Sequence, residues 1–497
     1  MSENAGTVVF QMIFAIVLFI VLTIVINAVV SRMKVVKDIE SYLVSGRMLP
    51  WPLTTAILVS AWIFTSSTMG AAESSLSFGA SGLWMYSMYG LSLLAVGLII
   101  PRFKKISDRL NIDSLTDFIK NRYNDKNYWL FLLIIWIGSY LTLLFNVSGA
   151  GFVISGLSGG VVPYWVGPAA LGIITMIYLV RGGLWSTALA SWIFALIASI
   201  GVVANIPFIV DGAGGTSAIL QYASASAQKL AKPEVLSLWN PEGAKVFLLA
   251  TILYGFSGWA VQEWYQPGIA SQPKKIRRAY MFAFFWVILI TSLSGAMGFI
   301  GFALVNSGQI SAPATSSEIY PYLTALYSPK IIQLLMMFMV FAAGSGTVAV
   351  TALAQSTMLK GAYDLLRERN QTKAIDNQIV LSRLKYYIVV AILVAIIFSA
   401  VIKPSVLFMV LLACAVYAPL GIPMMLTIFW KGVNRQGLFW AVLIGEIVTI
   451  YLFFAESPGI ATLAGTIIGT VITVLWSVIA PAKSEQTQIF LDQQIQG

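Results

Sequence analysis

Residues 60–75 read SAWIFTSSTMGAAESS. They lie in an apolar run, 51–78, that is long enough to cross a bilayer. Yet the stretch carries seven hydroxyl side chains, a tryptophan and the carboxylate of Glu73. At about 100° per residue, Thr65, Ser66, Ser67 and Thr68 point in all directions, so they do not form one seam against a neighbouring helix. Two readings stand. Either the helix breaks here, and its freed backbone groups hold an ion or polar solute at mid-membrane, or the hydroxyls form a packing face of small residues.

The composition places this segment in a membrane protein. Of 497 residues, 58% are hydrophobic and 10% charged, with mean hydropathy +0.85. That is too little charge to cover a soluble chain of this length. The single cysteine, Cys414, excludes a disulfide within the chain, and the absence of histidine removes the usual acid/base residue and the His-ligated zinc site. No Walker loop is present, so ATP-driven pumping has no support, and the residue types of most catalytic constellations are missing, which argues against an enzyme. The first run lacks a cationic leader and a small-residue cleavage site, and reads as a retained helix.

Apolar windows predict an all-α polytopic protein with about thirteen spans: 7–30, 51–78, 82–103, 128–157, 164–180, 186–210, 244–268, 279–306, 329–359, 384–402, 406–430, 436–455 and 459–481. With the N-terminus outside, the inner loops and helix ends hold 25 of the 30 Lys and Arg. The outer side keeps Lys229, Lys232, Lys245, Lys330 and Lys403. This is the asymmetry of the positive-inside rule, so the net charge of +10 reports topology and an anionic inner leaflet, not a nucleic-acid partner. The expected location is the plasma (cytoplasmic) membrane, C-terminus in the cytoplasm. The loop 211–243 reads as small and polar with room for a short helix, and 307–328 as a lid over the outer vestibule.

Three carboxylates fall inside predicted spans: Glu73, Glu263 and Glu446. A charge there costs roughly 2.5–3.5 kcal/mol on insertion scales. Glu263 and Glu73 are therefore candidates for proton coupling or solute contact; the alternative is a protonated carboxyl bonded to a neighbouring helix. For Glu446, on a peripheral span, the alternative is preferred. A second polar island, FAAGSGTVAVTALAQST at 341–357, is small enough to let another backbone approach. A third, GFSGWAVQEWYQPGIASQPKKIRR at 255–278, contains Pro267, which deprives a helix of a hydrogen bond and predicts a second interruption. Two interrupted spans in different halves of the chain point to a transporter's binding site. Gly70, Gly255, Gly258 and Pro267 are candidate hinges.

Short elements then carry a resemblance. Ser41-Tyr42-Leu43-Val44-Ser45-Gly46-Arg47 resembles the "YfLaGR" signature of the sodium:solute symporter family. Ser114 to Tyr123 resembles its "lPefl..Rf" element, Gly182-Gly183-Leu184 its "GGl.av..TD..Q" turn, and Tyr265 to Ser271 its "..QR.lAs" stretch. Order and spacing extend the resemblance over about 35–430. It implies a LeuT-like core of two inverted five-helix repeats with discontinuous first helices. By analogy the repeats are 51–210 and 244–430, inside one transporter domain that adds the helix 7–30 and peripheral C-terminal helices over 436–481. It also implies a sodium ion between the broken first helix and the eighth core helix. Matched residue by residue, the carbonyl ligands fall on Ser60, Ile63 and Ala342, and one hydroxyl ligand on Ser345.

The second hydroxyl ligand falls on Gly346, which has none, and helical geometry points the adjacent Thr347 about 100° away. The family aspartate of the "TD..Q" element matches Ser191, and its glutamine Phe194. Sodium wants hard oxygen ligands, so both changes weaken sodium coupling. A proton needs only a carboxylate in a buried place, which Glu263 supplies. The coupling ion is thus Na+ by resemblance, with H+ as the alternative, and no organic cofactor is implied.

The expected solute site gathers Trp62, Thr65, Ser66, Tyr86, Tyr89, Trp259, Gln262 and Glu263. Aromatic and neutral polar groups suit a small polar organic solute. No buried Arg or Lys is available to clamp an anion, though a half-helix N-terminus could. Trp62 and the Gln262–Gln266 run loosely resemble the urea-transporter branch of the family. The leading reading is a secondary active symporter. A passive facilitator on the same fold is the next. A membrane sensor is less favoured, because about sixteen residues after 481 cannot form a further domain.

Overall fold

Eighteen helices of more than four residues, with short 3-10 and π turns between them, make up the described chain, and its one strand-like pairing joins Leu49 to Ser271. The structure, a computed structural model, describes residues 2–63, 65–239, 245, 248, 251–370 and 376–482; the side chains of residues 2–5, Thr65, Ser66, Tyr89, Thr251, Leu253 and Tyr254 also lie outside the described residues. The protein is all-α, as its composition predicts.

The chain starts with α1 (Ser2–Met33), an apolar rod whose Phe10, Ile13 and Val17 face outward as lipid contacts would. A short α2 (Ile39–Val44) leads into α3 (Trp51–Trp62), which stops at Ile63 and resumes as α4 (Thr65–Phe78). Next come α5 (Leu83–Ser87), α6 (Leu91–Leu110), the short α7 (Leu115–Arg122), α8 (Asp125–Ser158), α9 (Val166–Gly212) and α10 (Gly215–Lys229). The second half holds α11 (Gln262–Ala270), α12 (Ile276–Ser307), α13 (Ile319–Tyr327), α14 (Lys330–Arg369), α15 (Asn377–Ile402), α16 (Val406–Phe429), α17 (Arg435–Ala455) and α18 (Pro458–Ile479).

Among the described residues, ten helices are long and apolar enough to span a membrane. The thirteen predicted spans map onto them once two long elements are divided. The segment 67–110 carries the end of one predicted span and all of the next, and α9 carries two. The remaining one, 244–268, is not a continuous helix. Its first residues lie mostly outside those described, and the rest runs as a π turn, a 3-10 turn and α11. Both predicted outer segments hold helices. The loop 211–243 contains α10, packed on α12, and 307–328 contains α13.

The most enclosed span is α14. Its small residues from Ala342 to Gly346 let α3 come close, while its flanks pack along α9 and α8. The long α9 is really two helices meeting at Gly183, whose φ of +54° with ψ of −140° is open to glycine. A side chain there would also strike the Tyr42 carbonyl, so the Gly182-Gly183 turn and the Ser41–Arg47 motif are one packed unit. Tyr42 completes it by donating from its hydroxyl to the Leu179 carbonyl at 3.0 Å.

The backbone from Ser45 to Arg47 takes positive φ at each residue, which reverses the chain and aims Arg47 inward. Its guanidinium then donates to Asp113 at 2.7 Å, Ser107 at 2.7 Å, the Ile112 carbonyl at 2.9 Å, and Glu40 and Asp108 at 3.1 Å each. Lys104 adds bonds to Asp108 at 2.6 Å and to the Ile269 carbonyl at 2.8 Å. This ties the start of α3, the end of α6 and the end of α11 into one face. Leu49 reinforces it: its N–H donates to the Ala270 carbonyl and its carbonyl accepts from Gln272 N–H, both at 2.9 Å.

Arg47→Ala should lower stability by about 3 kcal/mol, the scale for breaking a buried ion pair, since Asp113 would keep only the longer contact to Lys360. Arg47→Lys should recover less than half, because an ammonium cannot reach three carboxylates, a hydroxyl and a carbonyl together. Thermal unfolding of the detergent-purified variants reads both.

Candidate functional site

The first interruption is sharp. Ile63 takes φ −88°, ψ 66° and ends α3 in the interior. A helix that ends away from water leaves carbonyls without partners, at a cost of several kcal/mol each in a bilayer. Side-chain hydroxyls meet that need. Ser67 donates to the Trp62 carbonyl at 2.9 Å, and Thr347 of α14 lies 3.2 Å from both the Ser60 and Ala61 carbonyls. The sequence pattern FTSST is therefore a helix restart in which at least Ser67 caps the half that precedes it.

The second interruption falls at Val261, extended at φ −88°, ψ 111°, between the 3-10 turn Ser257–Ala260 and α11. Pro267, the predicted cause, sits inside α11. Its missing N–H falls within the short helix, where it removes the bond to the residue 263 carbonyl without ending the helix.

The two breaks meet at a closed chamber. Trp62 ends α3, Ser257, Gly258 and Val261 form the second break, and Trp264 opens α11. The wall is completed by Ser92 of α6, Thr142 and Phe145 of α8, and Val410, Ala413, Cys414 and Tyr417 of α16. The Trp62 and Trp264 rings meet edge to face, centroids 4.0 Å apart. The cavity left is about 20 Å³, room for one water. A larger hollow of about 520 Å³ lies between α17 and α18, but it is peripheral and its lining is almost wholly apolar.

Of the predicted solute contacts, Trp62 lines this chamber. Trp259 belongs to the second break and packs on Phe256; its Nε1 is buried without a hydrogen-bond partner among the described residues. Tyr86 is fully buried against α4, where Gly70 leaves space for its ring. The side chains of Thr65, Ser66 and Tyr89 lie outside the described residues. Gln262 faces away: its Oε1 accepts from the Leu115 N–H at 2.8 Å and its Nε2 donates to the Asp113 carbonyl at 3.4 Å. It holds the loop before α7.

Glu263 is 2% exposed. Its Oε1 accepts from the Ser139 hydroxyl of α8, one turn before Thr142 on the chamber wall, and its Oε2 is buried without a hydrogen-bond partner among the described residues. Glu73 is the opposite case. All its acceptor capacity is engaged, by Ser316 at 2.7 Å, Ser317 at 2.6 Å, Ser405 at 3.0 Å and the Leu407 N–H at 3.3 Å.

The positions matched to sodium ligands form a neutral hydroxyl patch. Ser60 sits directly over Gly346, where an added Cβ would lie 2.9 Å from the Ser60 hydroxyl. That hydroxyl donates to Ser191 at 2.6 Å. Ser345 donates to the Ala342 carbonyl at 3.3 Å, and Ile63 lies at the break itself. Two of the departures from the family pattern, Gly346 and Ser191, and the adjacent Thr347 thus converge on one residue, Ser60. Thr347 does point away from Gly346, as helical geometry requires, yet it reaches Ser60 because the end of α3 straddles Gly346.

Ser92, Thr142, Ser257, Trp264 and Tyr417 are site residues that sequence reasoning missed. Lone hydroxyls on apolar spans are their shared signal, and this chain has many. Trp264 had the stronger signal, between Glu263 and Tyr265 in the third polar island.

The model of the sodium:solute symporter family matches residues 42–445. "Sodium/proline symporter 2" of Staphylococcus saprophyticus is 23% identical over 437 residues, covering 83% of this chain and 80% of the relative. The "Sodium/glucose cotransporter" of Vibrio parahaemolyticus is 24% identical over 321 residues, 58% and 56% of the two chains. A Na+-coupled sialic acid symporter solved substrate-bound and outward-open superposes with TM-score 0.78 at 15% identity, over 95% of this chain and 98% of that one. MHP1, a nucleobase-cation-symport-1 family transporter in a closed conformation, gives 0.59 at 13% identity, over 90% and 97%. The fold is LeuT-like.

If Thr347 caps the broken helix, Thr347→Val should cost about 1–3 kcal/mol, the penalty for stranding buried carbonyls at constant side-chain shape. Thr347→Ser should remain near wild type. Thermal unfolding of both variants decides; an unperturbed valine variant contradicts the assignment.

Proposed function

This chain belongs to the sodium:solute symporter family, and from that premise we propose that it takes up a small polar organic solute by alternating access, bound between the two helix breaks. It is an integral membrane transporter of the cation-coupled symporter type, not an enzyme. The observation that carries the finer reading is the meeting of both interruptions, at Ile63 and Val261, on one aromatic and hydroxyl-lined chamber. No Lys, Arg, Asp or Glu lines it among the described residues, which favours a solute held by stacking and neutral hydrogen bonds. Proline and glucose, the solutes in relatives' names, are small polar molecules of this general kind. The proposed repeats are 51–210 and 244–430, with the Lys/Arg-rich Arg47 face in the cytoplasm and the N-terminus outside.

Sodium is the proposed coupling ion, at Ser60, Ile63, Ala342 and Ser345; family membership supports it. One set of observations favours a second reading, coupling to a proton on Glu263. The break is capped by the protein's own hydroxyls, Gly346 offers none, and an oxygen of Glu263 is buried without a partner. An orphaned carboxylate oxygen is costly unless it carries a proton or meets a ligand.

A sodium titration of thermal stability at constant ionic strength, against potassium and choline, separates the readings. Sodium coupling predicts a saturable, sodium-specific rise, worth about 2.7 kcal/mol at a hundred times the dissociation constant. Proton coupling predicts no sodium effect, with uptake driven by a pH gradient and that dependence abolished in Glu263→Gln. A sodium-blind protein whose Glu263→Gln variant keeps full pH dependence sinks both.

A further inference from the structure

Glu73 is 3% exposed, and the transport reading leaves it without a role. Its carboxylate draws together three elements that are far apart in sequence. Oε1 accepts from Ser316 and Ser405, and Oε2 from Ser317 and the Leu407 N–H. Ser316 and Ser317 open the turn before α13, in the segment read as a lid. Ser405 is the N-cap of α16, and Leu407 belongs to its first turn. Farther along α16, Val410, Ala413, Cys414 and Tyr417 line the chamber.

We infer that Glu73 is the latch that keeps the chamber shut on the face opposite Arg47. Glu73 lies on α4, just beyond the break, so α4 cannot swing from α16 without giving up two of the bonds, nor from the 316–317 turn without giving up the other two. Charge makes the latch strong and specific. Three hydroxyls and one N–H all donate to a single acceptor group, and the N–H belongs to a helix N-terminus, which favours an anion. A glutamine has the same shape but places an NH2 where two of these donors must be accepted. Glu73 acts through the gate and not on the solute, which makes it a positioning residue. The inference rests on the chamber being the solute site, but its test reads a different observable from the cation titration.

The chain provides its own reporter, since its sole cysteine, Cys414, is buried in the chamber wall. A membrane-impermeant thiol reagent is applied to right-side-out and to inverted vesicles, and the modification rate of Cys414 is followed. In Glu73→Gln the rate should rise about tenfold, as for loss of a charged hydrogen bond, and only from the face bearing Ser316 and Ser405. Ser405→Ala should give a smaller rise on the same face, and Cys414→Ser should abolish the signal. Should Glu73→Gln fail to fold, the Ser316→Ala/Ser317→Ala pair carries the same expectation. An unchanged rate, or an equal rise from both faces, overturns the latch and leaves Glu73 a residue of general stability.

Discussion

A broken helix in a bilayer must find partners for the backbone groups it frees, and that constraint organises this molecule. The end of α3 is met by Ser67 from its own continuation and by Thr347 from α14. The Thr347 contact requires α14 to lie directly against the break, which in turn requires the small residues from Ala342 to Gly346. The density of hydroxyls in the opening stretch and the density of small residues on α14 are two halves of one solution. Each looks odd for a membrane helix, and together they allow an interior helix terminus.

Around that centre the protein is tied at both ends by different chemistry. On the basic face Arg47 gathers carboxylates, a hydroxyl and a carbonyl, with both signs of charge present and partly wet. On the opposite face a single carboxylate, Glu73, gathers neutral donors in a nearly dry setting. Between them the tryptophans of the two breaks touch and leave room for no solute.

Much of this was legible in the residues. Length and apolarity gave the spans, and the hydroxyl run 65–68 marked the first break. The second break was placed in the right segment but for the wrong reason, because Pro267 is easily absorbed in a short helix while Val261 carries no warning in its side chain. Gln262 was expected at the solute as a neutral polar group on the interrupted span, yet its side chain turns to the Asp113–Leu115 loop. Thr347 was set aside on helical geometry, which fixes a direction but not what stands there. Chamber hydroxyls such as Ser92 and Thr142 could not be told from the many serines and threonines that bond only to their own helix.

The pairing of Leu49 with Ala270 and Gln272 fuses the segment entering α3 with the segment leaving α11. Two inner half-helices, one from each broken span, are thereby spliced into a single lever. A lever has one degree of freedom. A displacement at either break is then passed to the other through backbone hydrogen bonds as well as through the Trp62–Trp264 contact.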